Sequence, residues 1–431
     1  MKILRPKSLD FEGFGSGRVK YGLPEIVQFC SKCVISNQRP NSAHEFKNTG
    51  DSKKATINIS AGVCDACFYA EKKDKEINWS ERERELWELC DRYRANDGSY
   101  DCLVPGSGGK DSFFTAHILK TKFRMNPLTV TWSPNIYTEW GRSNFDSWIH
   151  AGFDNYLVTP NGAVHRLLTR LALEKLLHPF QPFMLGQKAL PPKLASTFGI
   201  PLVFYGENEA EYGNPIADNS ASQRDWEYFA KGSDEDVYIS GVSLQKLAET
   251  FDIAKRDLNQ YLPLDYERIK ASGLAVHYLG YYLKWHPQGC YYYSMANSDF
   301  EPAPYRTPGT YSKYTSIDDK LDDLHFYTTG IKFGLGRASY EASQEVRNGD
   351  ITRADAVSLV KKFDHEFPSR FIEEILTYLS IDEKTFGSKV CAAFEQPIMD
   401  KDYFRDLCDS FRSPHIWRRV NAKWDLVHQV S

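Results

Sequence analysis

The sequence predicts an α/β protein with a central parallel sheet, a zinc-ribbon-like module before the sheet and a mostly helical region after it. Two Cys-x-x-Cys pairs lie near the N-terminus, short apolar strands alternate with helical segments from about Tyr100, and the pattern beyond about Ser240 is mostly helical. The predicted boundaries are 1–75 for the module, 76–98 for a helical linker, 99–240 for the sheet domain and 241–431 for the C-terminal region. We expect this last region to close over the carboxyl edge of the sheet.

The composition is that of an ordinary globular protein, since 42% of the 431 residues are hydrophobic and 26% are charged. The net charge of −4 argues against a large nucleic-acid surface, because contact with phosphate backbones needs clustered Lys and Arg. No apolar run approaches the roughly 20 residues that cross a bilayer, and residues 1–10 lack the apolar core of a signal peptide. We therefore expect a cytoplasmic protein with no membrane span.

Four of the nine cysteines form two close pairs, Cys30 with Cys33 and Cys64 with Cys67. A single Cys-x-x-Cys pair is compatible with redox chemistry, but two pairs supply four thiolates, the usual ligand set of a structural zinc ion. The alternative is four unrelated buried thiols. A closed four-thiolate shell leaves no open position for chemistry, so we expect Zn²⁺ to be structural.

Residues 76–98 form a charged helical stretch, in which Ser80 and Glu83 have the spacing of a capping box. Apolar runs at 101–105, 128–132, 156–158 and 201–205 then predict strands, with helices beginning at Phe113 and spanning 166–177. Because strands and helices alternate, we expect the strands to be parallel, with helices on both faces of the sheet.

A glycine-rich loop lies between the first of these strands and the following helix. It contains Ser107, Gly108, Gly109, Lys110, Asp111 and Ser112. Glycines at a strand-to-helix junction let backbone N–H groups converge on an anion, and the helix N-terminus adds partial positive charge. The spacing matches neither a Walker A loop nor a dinucleotide-binding G-x-G-x-x-G loop. A carboxylate at Asp111 would repel phosphate, so we expect it to hold Mg²⁺.

A second candidate segment, residues 204–214, follows the fourth predicted strand. It includes Gly206, Glu207 and Asn208, and it places carboxylates at the carboxyl end of a strand, where open α/β sheets bind ligands. Glu207 is a candidate for a second Mg²⁺ contact or for substrate, and Asn208 for a hydrogen bond to substrate or ribose. The alternative for both residues is a capped turn.

The 107–112 loop resembles the signature of the PP-loop ATP pyrophosphatases, whose fold is the adenine nucleotide alpha hydrolase-like type. Together with the cysteine pairs, residues 129–132, 186–188, 205–209 and 332–337, it is similar to the N-acetyl sugar amidotransferases of bacterial surface-polysaccharide and flagellin-sugar biosynthesis. The resemblance covers about residues 30–380. It implies that ATP is cleaved to AMP and pyrophosphate, and that an N-acetyl group on a nucleotide-linked sugar becomes an acetamidino group. The resemblance also implies that the ammonia comes from separate glutaminase and cyclase-like subunits resembling the pair of histidine biosynthesis.

The resemblance also suggests roles for individual residues. Ser107, Gly108, Gly109 and Ser112 would bind pyrophosphate with Lys110, while Asp111 holds Mg²⁺. Lys332 and Arg337 would hold the leaving pyrophosphate, with a basic helix face as the alternative. Thr131, Trp132 and Gly206 would contact ATP, although Trp132 also suits a core position.

Two other functions are compatible with these motifs. The first is a PP-loop enzyme that thiolates tRNA or forms lysidine, against which the negative net charge argues. The second is a non-catalytic scaffold that binds zinc and nucleotide, against which the carboxylate of Asp111 argues.

Overall fold

The computed structural model describes residues 19–41, 47, 49, 55–214, 220–226, 229–231, 233–234 and 237–431. Residues 1–18 of the predicted N-terminal module and most of 42–54 therefore lie outside the described residues. No helix within the described ranges is both long enough and apolar enough to cross a membrane.

The strands are short and are numbered here in chain order. They are β1 (Ile59–Ser60), β2 (Val63–Cys64), β3 (Cys102–Pro105), β4 (Pro127–Trp132), β5 (Asp154–Val158), β6 (Leu202–Tyr205), β7 (Ala230–Lys231), β8 (Tyr238–Ile239), β9 (Val242–Ser243), β10 (Leu264–Asp265), β11 (Ala275–Tyr278), β12 (Trp417–Val420) and β13 (Lys423–Leu426).

The helices surround these strands and dominate the C-terminal region. They are α1 (Asp65–Lys75), α2 (Trp79–Tyr93), α3 (Lys110–Thr121), α4 (Glu139–His150), α5 (Gly162–Leu176), α6 (Gln181–Phe198), α7 (Leu244–Phe251), α8 (Lys255–Leu258), α9 (Tyr266–Ser272), α10 (Leu279–Tyr282), α11 (Pro287–Asn297), α12 (Leu321–Phe333), α13 (Arg337–Asn348), α14 (Arg353–Phe363), α15 (Ile372–Leu379), α16 (Glu383–Cys391) and α17 (Lys401–Phe411). Within the described residues, short 3₁₀ segments span Lys20–Gly22 and Glu209–Tyr212.

Within the described part of the chain, five strands form one parallel sheet in the order β11-β6-β3-β4-β5. The predicted parallel sheet and the mostly helical C-terminal region are thus confirmed. The chain moves from β3 to β4 and β5 on one side, and then continues with β6 on the other side of β3. Such a reversal opens a crevice at the carboxyl ends of the two central strands, here β3 and β6.

The sheet is buried on both faces because successive side chains of each strand point to opposite sides. Leu103, Leu128 and Val203 pack into one hydrophobic cluster with α5 and α6. Val104 and Phe204 pack into a second cluster with α2, α3 and Trp148 of α4. This three-layer arrangement fixes the strand ends, from which the loops of the crevice emerge.

Three details differ from the sequence-based expectations. Strand β11, at one edge of the sheet, comes from the segment that was assigned to the C-terminal region. Helix α3 begins at Lys110 rather than Phe113, so its first turn includes part of the glycine-rich loop. The predicted capping box at Ser80 is wrong, because Asn78 caps α2 by accepting a hydrogen bond from the backbone N–H of Glu81.

The described part of the N-terminal module (residues 19–41, 47, 49 and 55–75), called here the cysteine module, packs against the C-terminal region. Hairpin β1–β2 and helix α1 share a hydrophobic cluster with Phe333, Leu335 and Trp417. The Arg353 side chain donates from Nε to the backbone carbonyl of Cys33 over 3.1 Å. The module and the C-terminal region are therefore packed together, and the segment of the module around Ile57 reaches the sheet crevice.

Candidate active site

A cavity of about 630 Å³ lies at the carboxyl ends of β3, β4 and β6. Its walls come from the glycine-rich loop, helix α6, the segment before α12, helix α13 and the cysteine module. This volume is within the range of pockets that bind drug-sized ligands. The position matches the crevice that the strand order creates, so we take it as the candidate active site.

The loop 106–109 can form only because its residues are glycine at the critical points. Gly108 has a φ of +89°, and a Cβ there would lie 2.4 Å from the backbone oxygen of Asn144. A Cβ on Gly106 would lie 2.4 Å from the Cβ of Ser112. Gly108 does not itself line the cavity, so its contribution is conformational. Gly109 caps α3 without a side-chain hydrogen bond, which leaves the first N–H groups of the helix suited to an anion.

Lys110 and Asp111 form an ion pair at the start of α3. Lys110 Nζ lies 2.6 Å from a carboxylate oxygen of Asp111, and the lysine is buried while the Asp111 side chain is 41% exposed. Burial alone would lower the pKa of Lys110, but the charges of Asp111, Cys290 and Glu207 and the Asp111 hydrogen bond outweigh it and raise the pKa. Lys110 is therefore a fixed cation in the glycine-rich loop, and Asp111 is a carboxylate that a metal ion can reach.

The Asp111 carboxylate suits Mg²⁺ as one protein ligand among phosphate and water oxygens. Among the described residues, only the four cysteines place three or more metal-binding side chains within reach of one another. Mg²⁺ is commonly held by one or two carboxylates together with substrate phosphates, so this sparse arrangement fits a metal that enters with a nucleotide.

Gly206 and Glu207 follow β6 and face the loop across the crevice. A Cβ on Gly206 would lie 2.7 Å from the ring of Trp285, so glycine allows this close approach. Glu207 accepts a hydrogen bond of 3.0 Å from Gln344 of α13. Burial, and secondly the charge of Asp111, raise the pKa of Glu207 to about 7. A carboxyl group with this pKa can accept and release a proton near neutral pH.

A group of aspartates that the sequence analysis missed completes this side of the cavity. Ser107 Oγ donates a hydrogen bond to Asp318, whose pKa is raised by burial. Asp319 accepts hydrogen bonds from Asn135 Nδ2 at 2.8 Å and from the backbone N–H of Ile136 at 3.2 Å, and burial raises its pKa to about 6. The acidic run 318–323 was a sequence signal, but nothing in its spacing shows that it meets a loop 211 positions away.

The cavity has an apolar end between β4 and α6. It is lined by Val130, Trp132, Phe180, Phe183, Leu190 and Pro191. The indole of Trp132 lies against Gly186, where a Cβ would come within 2.3 Å of the ring. An apolar slot in the same cavity as the glycine-rich loop is suited to a nucleobase.

Several of the predicted residues do not reach the cavity. Thr131 is buried and accepts a hydrogen bond of 3.0 Å from Asn155, because alternate residues of β4 face opposite sides. Asn208 accepts a hydrogen bond from the backbone N–H of Ala210 and so caps the 3₁₀ segment Glu209–Tyr212. This is the capped turn that was the alternative to a ligand-binding role. Lys332 donates to the carbonyl oxygen of Leu176 over 2.7 Å and lies over the ring of Tyr21.

Arg337 does line the cavity, where its Nε donates to Glu341 over 2.7 Å. Ser107, Gly109, Lys110, Asp111, Ser112, Trp132, Gly206, Glu207 and Arg337 are therefore the predicted ligand-contacting residues that the fold brings to one cavity. Their roles in binding and chemistry remain predictions.

The four cysteines Cys30, Cys33, Cys64 and Cys67 lie together and are all buried, with their sulfur atoms within 4.8 Å of one another. The Sγ atoms of Cys33 and Cys64 are 3.7 Å apart, and those of Cys30 and Cys67 are 3.8 Å apart. Backbone N–H groups of Cys33 and Cys64 point at the sulfur of Cys30. Four converging sulfur atoms fit a tetrahedral zinc ion, so this group could hold one.

Comparison with known proteins gives a match in the C-terminal region. Residues 308–431 match the family described as LPS biosynthesis protein WbpG-like, C-terminal domain. This region is similar to proteins of lipopolysaccharide biosynthesis. Uncharacterized protein MJ1599 of Methanocaldococcus jannaschii is 31% identical over 83 residues, which is 19% of this chain and 29% of that protein. The matched stretch thus spans less than a third of that relative's length.

The matched family region contains one wall of the cavity. Asp318, Asp319, Arg337 and Gln344 all lie within residues 308–431 and line the cavity. The similarity to lipopolysaccharide biosynthesis proteins therefore involves residues that face the candidate site. It supports a role in sugar biosynthesis in general.

The raised pKa of Glu207 predicts a pH effect on stability. Because its pKa rises from 4.5 to about 7 in the folded chain, the folded state binds more protons than the unfolded state between these values. The contribution of Glu207 to stability therefore falls as the pH rises through this window. We expect Glu207→Gln to be more stable than the unmodified chain at about pH 8, by up to roughly 3 kcal/mol, with little difference near pH 5.

Thermal melting of both chains across this pH range measures the effect. The groups that act on Glu207 are Asp111, Lys110, Gln344 and Glu211. Glu88→Gln is a matched control, because Glu88 makes only an exposed ion pair with Arg84 on α2. Equal pH dependence of Glu207→Gln and the unmodified chain would show that Glu207 titrates normally.

Proposed function

We propose that this chain is an ATP-dependent amidotransferase of sugar biosynthesis, which converts an N-acetyl group into an acetamidino group. The observation that carries the proposal is the glycine-rich loop, which has no room for a Cβ at Gly106 or Gly108 and is followed by Lys110 and Asp111. This loop lines one cavity that has an apolar end and a polar end. A nucleotide fits the loop and the apolar end. The remaining space then lies between Glu207, α13 and the cysteine module, where an acceptor sugar fits.

The proposed reaction has two steps. In the first, the acetamido oxygen attacks the α-phosphorus of ATP, a new O–P bond forms, and the bond to the bridging oxygen breaks to release pyrophosphate. In the second, the nitrogen of ammonia attacks the activated carbon, the C–O bond breaks, and AMP leaves with the oxygen. The nitrogen loses a proton in this step, so the product is an amidine that is protonated at neutral pH.

The residues of the cavity can support each step. Lys110 and the N–H groups at the start of α3 stabilise charge that accumulates on the leaving pyrophosphate. Mg²⁺ held by Asp111 would offset the same charge. Glu207, with a pKa of about 7, is placed to take the proton from the attacking nitrogen. Glu207 lines the cavity and accepts a hydrogen bond from Gln344, so its carboxyl group faces the space that the acceptor would occupy.

We propose that ammonia comes from a separate glutaminase. All nine cysteines of the chain are buried. The charges of Asp111, Lys110 and Glu207 act on Cys290, but burial and the charge of Asp111 raise its pKa well above the ordinary value. A glutaminase with a cysteine nucleophile needs an accessible thiolate, and these buried cysteines do not supply one.

The isolated chain is therefore expected to use free ammonium and not glutamine. The measurement is pyrophosphate release with ATP, Mg²⁺ and a panel of N-acetylated nucleotide sugars, with isotopically labelled ammonium to follow nitrogen into the sugar product. Asp111→Asn, purified in the same way, controls for contaminating ATPases. Incorporation of glutamine nitrogen by the isolated chain would contradict the separate glutaminase. Pyrophosphate release that depends on added tRNA rather than on a sugar would indicate a tRNA substrate.

A further inference from the structure

The end of the cavity opposite the apolar slot is formed by the cysteine module and helix α13. Ile35, Arg39 and Ile57 come from the module side, while Tyr340, Ser343 and Arg347 come from α13. Arg39 is 8% exposed, and its guanidinium lies 5.3 Å from the ring centroids of both Tyr212 and Tyr340. A cation is thus held between two aromatic rings at the edge of the cavity.

Arg39 differs from other buried arginines in having no carboxylate partner. Arg170 pairs with Glu174 at 2.6 Å, Arg224 with Glu209 at 2.9 Å and Arg412 with Asp409 at 3.3 Å. Across the described ranges, no carboxylate lies within 4.0 Å of Arg39.

The acidic groups around Arg39 do not form an ion pair with it. Tyr340 acts on it first, followed by Cys64 and then Glu209, and Glu209 is already paired with Arg224. Burial is the main influence on Arg39 and lowers its pKa. Buried charges in proteins are normally paired, so an anion from outside the chain would complete this one.

Two neighbours support the same conclusion. Ser343 is 1% exposed, and its hydroxyl has no hydrogen-bond partner in the described part of the chain. Arg347 lies at the same end, where its guanidinium donates a hydrogen bond of 3.1 Å to the backbone carbonyl of Glu211. Arg347 is thus held by the chain, and Arg39 and the Ser343 hydroxyl are the groups that a ligand would complete.

We infer that Arg39, between Tyr212 and Tyr340 and near Ser343, binds an oxyanion of the acceptor, either a carboxylate on the sugar ring or a phosphate attached to it. The inference deepens the proposed function and rests on it for the identity of the acceptor. The two rings can pack against a sugar ring while the guanidinium binds the anion through two parallel hydrogen bonds. The cysteine module thereby contributes a residue that determines which acceptor binds.

The position of Arg39 depends on the fold of the module. The backbone N–H of Ile57 donates to the carbonyl of Arg39 over 3.0 Å, and the N–H of Cys30 donates to the carbonyl of Ile35 over 2.8 Å. The segment 35–39 is therefore held between the first cysteine pair and the strand that leads to the second pair. Nothing in the spacing of the sequence relates Arg39 to α13, which is 300 residues further along.

The test measures equilibrium binding of three probes to the full chain. N-acetylglucosamine is neutral, N-acetylneuraminic acid carries a carboxylate, and UDP-N-acetylglucosamine carries a diphosphate. We expect at least one anionic probe to bind about tenfold or more tightly than the neutral sugar. Arg39→Gln should lose this preference and Arg39→Lys should keep part of it. The probe whose affinity falls in Arg39→Gln identifies the anion as carboxylate or phosphate.

Arg306→Gln is the matched control, because Arg306 pairs with Glu366 at 2.6 Å and does not line the cavity. Binding of ATP with Mg²⁺ to each variant is measured separately, and it should not change. If neither anionic probe binds more tightly than the neutral sugar, or if Arg39→Gln keeps the preference, the inference is wrong. Failure of ATP binding or of pyrophosphate release in the unmodified chain would instead count against the proposed function.

Discussion

Asp111→Asn is expected to abolish sugar-dependent pyrophosphate release while the protein keeps its fold. The substitution removes one negative charge from the first turn of α3 and leaves the side-chain shape almost unchanged. Removing a comparable electrostatic contact to a developing charge typically lowers the rate by about 10² to 10³. Initial rates of pyrophosphate release at saturating ATP and Mg²⁺ measure this effect.

The reason for the size of the effect is the position of the carboxylate. Asp111 lines the cavity directly after the loop residues Ser107 and Gly109, and its side chain is partly exposed there. A metal ion on this carboxylate would neutralise phosphate oxygens in the transition state more than in the ground state. Asparagine cannot supply that charge, although it can still accept a hydrogen bond from Lys110.

Two further variants make the result specific. Ser112→Ala should be milder, because Ser112 Oγ donates to the Gly109 carbonyl at 3.0 Å and a neutral hydrogen bond contributes about 0.5–1.5 kcal/mol. Asp146→Asn applies the same chemical change to an exposed ion pair with Arg142, and it should leave the rate unchanged. Near-native turnover of Asp111→Asn would show that this loop is not the metal-phosphate site.

The sequence predicts the main parts of the fold because they depend on local patterns. Four of the five strands of the sheet follow from short apolar runs, and the strand–glycine–helix junction locates the loop at a strand end. Strand β11 was missed because it sits among helical sequence, and only its pairing with β6 makes it a strand. Pairing between segments some seventy residues apart cannot be read from local propensity.

The candidate site was less predictable for the same reason. Thr131 and Trp132 were both expected to contact ATP, but adjacent residues of a strand face opposite sides, so only Trp132 lines the cavity. The family resemblance assigned Lys332 to the leaving pyrophosphate, but its side chain is buried and its amine donates to the Leu176 carbonyl. A long aliphatic stem makes such burial possible. Asp318 and Arg39 come from distant segments, and their meeting at the cavity is a property of the tertiary fold.

Cys64→Ala is expected to remove bound zinc and to destabilise the protein far more than deletion of an ordinary buried thiol. Structural zinc sites contribute to folding free energy, by about 10–16 kcal/mol in isolated zinc-finger peptides. The loss should be smaller here, because the module also packs against Phe333, Leu335 and Trp417. Elemental analysis of the purified chain should find one zinc ion per chain, and thermal melting with and without a chelator measures the stability.

Cys408→Ala is the matched control for this variant. Cys408 is 2% exposed in a hydrophobic cluster and lies far from the metal-binding group in sequence. Like Cys64→Ala, the Cys408→Ala substitution removes one buried sulfur atom. We therefore expect it to lower the free energy of unfolding only by the amount that a small cavity costs. A chain without zinc as purified, or a Cys64→Ala variant that melts like Cys408→Ala, would exclude a structural metal.

Binding of ATP and of the anionic probe to the soluble fraction of Cys64→Ala also distinguishes the roles of the two ends of the cavity. Four cysteine ligands would leave no open coordination position, so the metal takes no part in the chemistry. The loop 106–112 and the apolar slot belong to the sheet, α3 and α6, and ATP should therefore still bind. Arg39 is held between the cysteine pairs, so binding of the anionic probe should be lost. Equal loss of ATP and probe binding would show instead that the whole crevice depends on the metal.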